Sequence, residues 1–241
     1  MAGRHAVSRG RRRLPFWASL ALNALAALLV LSLVQAFVVK VYRVPSTSME
    51  PALRADAGGG DRILVNRAAY LGGEPEPGDI VVFSRPEAWN DGADRRPGGL
   101  GAIGRAIGDV TGIGPSNEHY LVKRVAARGG QTVACCDAEG RLELEGHAVD
   151  EPYVSEDLPF IAGRLDCTTM PRSERCFAAF TVPLGELVVL GDHRSASADS
   201  TLGCRVAQSG GAPCLRTVPN GLVIGRVAFR LWPLDRAGVV G

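Results

Sequence analysis

Ser48 and Lys123 set the chemical question. Ser48 lies in Val44-Pro45-Ser46-Thr47-Ser48-Met49-Glu50-Pro51, where two prolines bracket the serines and stiffen the backbone that presents them. A serine hydroxyl is a weak nucleophile until a base takes its proton. Arginine stays protonated and cannot be that base. Lysine can, once burial disfavours its charge. Lys123 stands in Tyr120-Leu121-Val122-Lys123-Arg124-Val125, among apolar residues suited to desolvating an amine. A third segment, Leu190-Gly191-Asp192-His193-Arg194-Ser195-Ala196-Ser197-Ala198-Asp199-Ser200, is a polar loop after an apolar run, and its Ser197 is placed to orient that amine. The composition adds a clue. The chain has 25 Arg and only two Lys, Lys40 and Lys123, so it uses lysine where arginine would serve as a plain cation at just two positions.

The elements that must position these groups read mostly as strands. Runs 62–65, 80–83, 120–125, 132–135, 141–145, 187–190 and 223–231 are rich in β-branched residues and bounded by Gly, Pro or Asp. Only 50–57 and 100–110 look helix-permissive. Thirty Gly and 15 Pro in 241 residues disfavour a helical bundle. The expectation is a mostly β body, a barrel or antiparallel sheet. Residues 87–118, with eight Gly between Gly92 and Gly114, read as an insertion. Residues 135–180 hold four Cys and read as a smaller β subdomain.

Residues 14–39 are apolar apart from Ser19, Asn23, Ser32 and Gln35, and about 20 such residues span a bilayer as a helix. Basic residues cluster in 1–13 before the run, which favours a cytoplasmic N-terminus. The run exceeds the apolar region of a cleaved signal peptide and lacks a small-x-small site just after it, so an uncleaved anchor is expected. Lys40 fits as an interfacial residue with a snorkelling stem. The body, 42–241, then lies outside the cytoplasm. Residues 1–40 carry six bases and no acid, whereas the other 201 residues hold 21 bases and 25 acids. A mildly acidic body argues against nucleic acid as the partner. Six Cys suit an oxidising compartment. Cys167 with Cys176, or Cys204 with Cys214, would each clip a loop, while the pairing of adjacent Cys135 and Cys136 stays open. No Cys-x-x-Cys occurs, so no metal is expected.

Taken in order, Pro45-Ser46-Thr47-Ser48-Met49-Glu50-Pro51 after an anchor, Gly78-Asp79-Ile80-Val81-Val82-Phe83, Lys123-Arg124-Val125, and Gly191-Asp192-His193-Arg194 with Ser197-Ala198-Asp199-Ser200 resemble the bacterial signal peptidase I family. Gly225-Arg226-Val227 and Leu231-Trp232-Pro233-Leu234 resemble its ending. The resemblance implies a membrane-bound serine endopeptidase that removes signal peptides from secretory preproteins after small residues at −1 and −3. It implies Ser48 as nucleophile, Lys123 as general base, and Ser46 with the Ser48 N–H as oxyanion donors. It further implies Ser197 bonded to Lys123, Arg124 paired with Asp192, and Asp199 as a supporting acid. Tyr42, Val44, Met49, Leu53, Leu121 and Val122 would line shallow pockets that admit Ala and exclude bulk. The substrate would add as a strand beside 42–46 and 120–123. No cofactor is implied. The expected partners are preproteins and the lipid bilayer, with the enzyme a monomer.

Three departures stand out. His193 replaces a common Asn, residues 126–131 depart from the usual turn, and Thr201 stands where an Arg usually pairs with Asp199. Arg205 or Arg194 would have to substitute. The rival readings are a non-catalytic, membrane-anchored β module that binds an envelope partner, a Ser-His-Asp hydrolase using His119 or His193, and a Ser-Lys autoprotease of the repressor type. The first leaves Lys123 unexplained. The second lacks a Gly-x-Ser-x-Gly elbow. The anchor disfavours the third.

Overall fold

The computed structural model describes residues 15–55, 60–89, 120–206 and 214–240. The basic tail 1–13 and most of the Gly-rich segment 87–118, with the helix-permissive stretch 100–110, lie outside the described residues.

Helix α1, Phe16–Phe37, is 22 residues long, has a mean hydropathy of 2.2 and buries none of its side chains. By length and composition it can cross a membrane. The apolar run continues past the helix, but its last residues belong to a strand, β1, Val39–Arg43. Lys40 therefore does not extend from the helix into an interface. It lies in β1, buried, with its ammonium 5.3 Å from the Tyr42 ring centroid.

The remaining main strands are β2 (Arg62–Asn66), β3 (Ile80–Ser84), β4 (Tyr120–Arg128), β5 (Thr132–Cys135), β6 (Leu142–Leu144), β7 (His147–Ala148), β8 (Phe177–Thr181), β9 (Glu186–Leu190), β10 (Val218–Pro219), β11 (Val223–Trp232) and β12 (Gly238–Val239). All seven expected runs are strands. The additional ones are short, or in the case of β8 lack alternation, with Ala178 and Ala179 both exposed. An eight-stranded antiparallel sheet runs β1-β2-β11-β3-β4-β9-β10, with β12 on β11. A second sheet, β7-β6-β5-β8, carries the Cys-rich segment. The fold is thus mostly β, as expected.

No helix forms over the described part of 50–57. A 3-10 turn, Thr47–Met49, ends at Glu50, which is extended at φ −69° and ψ 143°. The proline at 51 disfavours the α region at the residue before it, so the turn cannot continue. The one other α-helix among the described residues, α2, Leu202–Val206, follows the polar loop.

Register places the chemistry. In the β3–β4 ladder, Val81 faces Lys123 and Ile80 faces Arg124. In the β4–β9 ladder, Arg124 faces Leu190, so the loop leaving β9 emerges beside Lys123 and Arg124. Four consecutive β4 residues, 122–125, are buried, which requires cover on both faces. Cys167–Cys176 and Cys204–Cys214 are disulfides, and Cys135 is bonded to Cys136.

Candidate active site

The 3-10 turn carries Ser48, and its neighbours fix it in the core. Met49 and Leu53 are among the most buried side chains of one apolar cluster, with Tyr42, Val44 and Val122. The Ser48 carbonyl accepts the His193 N–H at 3.2 Å. Gly191 packs so close that a Cβ there would collide with the Ser48 carbonyl and the Ser197 side chain. Glycine is therefore required at 191 for the loop to lie against the turn. Ser155 adds a brace from the second sheet's side, donating its hydroxyl to the Glu50 carbonyl at 2.7 Å.

Lys123 Nζ lies 2.5 Å from Ser48 Oγ, 75 residues away in sequence. Ser48 is 5% exposed and Lys123 3%. Burial lowers the Lys123 pKa from 10.5 to about 8; Asp199 and Asp192 oppose the shift and Arg205 adds to it. About one amine in ten is then neutral at pH 7, far more than for a free lysine. A neutral amine can accept a proton from the Ser48 hydroxyl across this contact. Ser46 Oγ is 3.1 Å from Ser48 Oγ, on the exposed side.

Two carboxylates flank the pair. Arg124 grips Asp192 with two parallel bonds, Nε to Oδ1 at 2.9 Å and Nη2 to Oδ2 at 2.8 Å. Its third nitrogen donates to the Gly78 carbonyl, and its guanidinium lies 3.8 Å from the Tyr153 ring centroid. Asp199 is fully buried and accepts from four groups: Gly191 N, Thr201 N, Thr201 Oγ1 and Arg205 Nη2. Arg205 therefore supplies the cation that Thr201 does not. Arg194 does not substitute, because it pairs with Glu151 at 2.6 Å.

The structure brings Ser46, Ser48, Lys123, Arg124, Asp192 and Asp199 together, and it departs from two expectations. Ser197 is buried beside Gly191, but among the described residues its hydroxyl has no hydrogen-bond partner, so it does not bond Lys123. Leu121 does not join Tyr42, Val44, Met49, Leu53 and Val122; it packs with Phe83 and Trp89. Adjacent strand residues face opposite sides, so 121 and 122 cannot line one pocket face. His193 Nε2 faces Glu156, and the described partners of Ser48 Oγ are Ser46 and Lys123, which leaves no histidine base at the serine; His119 lies outside the described residues. A hollow of about 300 Å³ lies elsewhere, lined by Leu165, Met170, Cys176, Cys204 and Arg205 among others; neither Ser48 nor Lys123 lines it. Sequence reasoning missed Tyr153, Ser155, Glu151 and Arg216 as supports. Arg205 had a signal, since it was one of two arginines near the vacancy at 201.

Residues 17–232 match the family described as Signal peptidase, peptidase S26. A probable signal peptidase I of Mycobacterium leprae is 36% identical over 98% of this chain and 82% of that protein. A signal peptidase I of Mycobacterium tuberculosis is 37% identical over 91% of this chain and 74% of that protein. Signal peptidase IB of Staphylococcus aureus is 26% identical over 87% of this chain and 86% of that protein. With the family's match spanning most of its length, and a serine and a lysine meeting in its core, the chain belongs to the signal peptidase family, peptidase S26.

Proposed function

We propose that this chain acts as a membrane-anchored signal peptidase I, with Ser48 as nucleophile and Lys123 as general base, on preproteins bearing small residues at −1 and −3. The observation that carries this reading is the 2.5 Å approach of a buried lysine amine to a serine hydroxyl. In the reaction, Ser48 Oγ gives its proton to Lys123 Nζ and attacks the scissile carbonyl carbon. The oxyanion takes hydrogen bonds from the Ser46 hydroxyl and the Ser48 N–H. Lys123 returns the proton to the departing amine, and a water deprotonated by the same amine hydrolyses the acyl-enzyme.

Substrate binding follows from the sheet. Tyr120 to Lys123 pair with β3 on one side, while β9 pairs with β4 only from Arg124 onward. That leaves the other edge of 120–123 available, among the described ladders, for an extended peptide. We assign its side-chain pockets to Tyr42, Val44, Met49, Leu53 and Val122, which form one apolar cluster. Ala fits against such walls and larger side chains clash. We place α1 across the membrane with residues 1–13 cytoplasmic and the body outside, on the charge asymmetry of its flanks.

The test incubates wild type, Ser48→Ala and Lys123→Arg with a preprotein carrying an Ala-x-Ala site in detergent. Both variants are expected to be inactive, since alanine lacks the nucleophile and arginine accepts no proton. Cleavage by Ser48→Ala would overturn the reading.

A further inference from the structure

We propose that the Cys204–Cys214 disulfide and the arginines beside its two ends, Arg205 and Arg216, form a clamp on residues 197–201 that positions Asp199 next to Lys123 and neutralises it. The inference rests on the assignment of Lys123 as base. Both halves of the clamp reach the same short loop. From the Cys204 side, Arg205 Nη2 spans the Asp199 carboxylate at 3.2 and 3.3 Å and reaches Thr201 Oγ1 at 2.9 Å. Its Nη1 donates to the Ser197 carbonyl at 2.7 Å. From the Cys214 side, Arg216 donates its N–H to the Ser200 carbonyl at 2.9 Å and its Nη2 to the Asp199 carbonyl at 3.1 Å. Its guanidinium is braced 4.6 Å from the Trp89 ring centroid.

The disulfide makes the two halves one unit. Cys204 is buried in the cluster that holds Leu190 and Val188 of β9, and Cys214 packs against it. Gly203 carries no side chain where one would strike the Cys214 carbonyl at 2.5 Å. The two segments thus approach closely as well as being joined. The grip is passed on toward the dyad: Asp199 Oδ2 accepts the Gly191 N–H at 3.1 Å, and Gly191 abuts the Ser48 carbonyl.

The clamp has an electrostatic consequence. Among the described residues, the charged groups acting most on Lys123 are Asp199 and Asp192, which favour its proton, and Arg205, which opposes it. Arg124 is already paired with Asp192. Arg205 is therefore the cation that offsets Asp199. Without it, an uncompensated buried carboxylate holds the proton on Lys123 more tightly, and less enzyme is ready at neutral pH. Arg205 touches neither reacting atom and acts through Asp199, so it is a positioning residue.

The test uses the full chain in detergent micelles and two readouts. The first is the pH profile of kcat/KM on the Ala-x-Ala preprotein. The second is the titration of Lys123 by NMR with 13Cε-labelled lysine, which is clean because the chain has only two lysines. Arg205→Gln should move both midpoints up by about one pH unit, a loss of roughly tenfold at pH 7 that is recovered at alkaline pH. Arg205→Lys should restore much of the wild-type midpoint, and Asp199→Asn should move it down. Cys204→Ser with Cys214→Ser should move it up by less than Arg205→Gln. A folded Arg205→Gln protein whose Lys123 titrates as in wild type overturns the clamp, whatever its activity. A double-serine variant indistinguishable from wild type overturns the disulfide's part in it. Cleavage by Ser48→Ala, with the NMR shift in Arg205→Gln present, would instead overturn the functional reading and leave the clamp standing.

Discussion

Asp192 and Asp199 act on the same lysine but are held by different kinds of structure. Asp192 is gripped by Arg124, the residue after Lys123 on β4. Its partner is thus fixed by strand register, through the same ladders that place Lys123 against Val81. Asp199 is held by Arg205 from a five-residue helix closed by a disulfide. The first carboxylate is secured by the sheet and the second by a crosslinked loop. The sheet-borne pair cannot be disturbed without disturbing the fold. The loop-borne one can be altered while the sheet stays whole, which makes it the place where the proton affinity of Lys123 can be tuned.

The comparison has meaning only if Lys123 is the group on which both carboxylates act. Lys123→Arg should lower preprotein cleavage by about 10⁴-fold or more, measured in single-turnover assays, because loss of one member of a catalytic pair removes most of the pair's effect. Arg124→Ala tests the sheet side. It leaves Asp192 buried without its cation and should cost about 3–5 kcal/mol in denaturant unfolding. A small loss there would mean that the sheet does not depend on the pair. Lys123→Met tests the common target through stability. Between pH 10.5 and about 8 the unfolded chain binds the proton that the folded one releases, so wild type loses stability as pH falls through that window. The methionine variant should be more stable than wild type by up to about 3 kcal/mol below pH 8, with the gain gone above pH 11. Thr201→Val tests the loop side most gently. It removes the bond the hydroxyl gives to Asp199 and the one it takes from Arg205, and should cost about 1.5–3 kcal/mol while leaving the Arg124–Asp192 pair intact.

Much of this was legible in the sequence, for stated physical reasons. The strands 62–66, 80–84 and 223–232 carry β-branched residues between turn formers, and the structure has them there. The meeting of Ser48 and Lys123 was legible because a proline-bracketed serine and a lysine among apolar residues stood in ordered blocks of a known kind. The strand β1 was not separable from the helix before it, since Val38, Val39, Val41 and the run 28–34 share one hydropathy. Leu121 was placed on the wrong side although the period of two argued against it. The idle Ser197 hydroxyl could not be read, because its orientation depends on how closely Gly191 packs. The partner of Asp199 was not decidable between Arg194 and Arg205, because the choice is made by Glu151, 43 residues before Arg194 and brought near it only by folding.

The joint between helix and sheet carries one more consequence. Val38 alone separates the end of α1 from β1, and Arg67 ties the junction down, with its N–H on the Val38 carbonyl and its guanidinium on the Gln35 carbonyl. On the proposed topology, α1 is a post about 33 Å tall with the sheet tied to its end. On that reading Ser48 would sit at a set height, and a peptide bond would be presented to it according to where the incoming apolar helix stops. In that arrangement the post is a gauge: it measures the substrate's position along the membrane normal, while the pocket walls measure the size of its side chains.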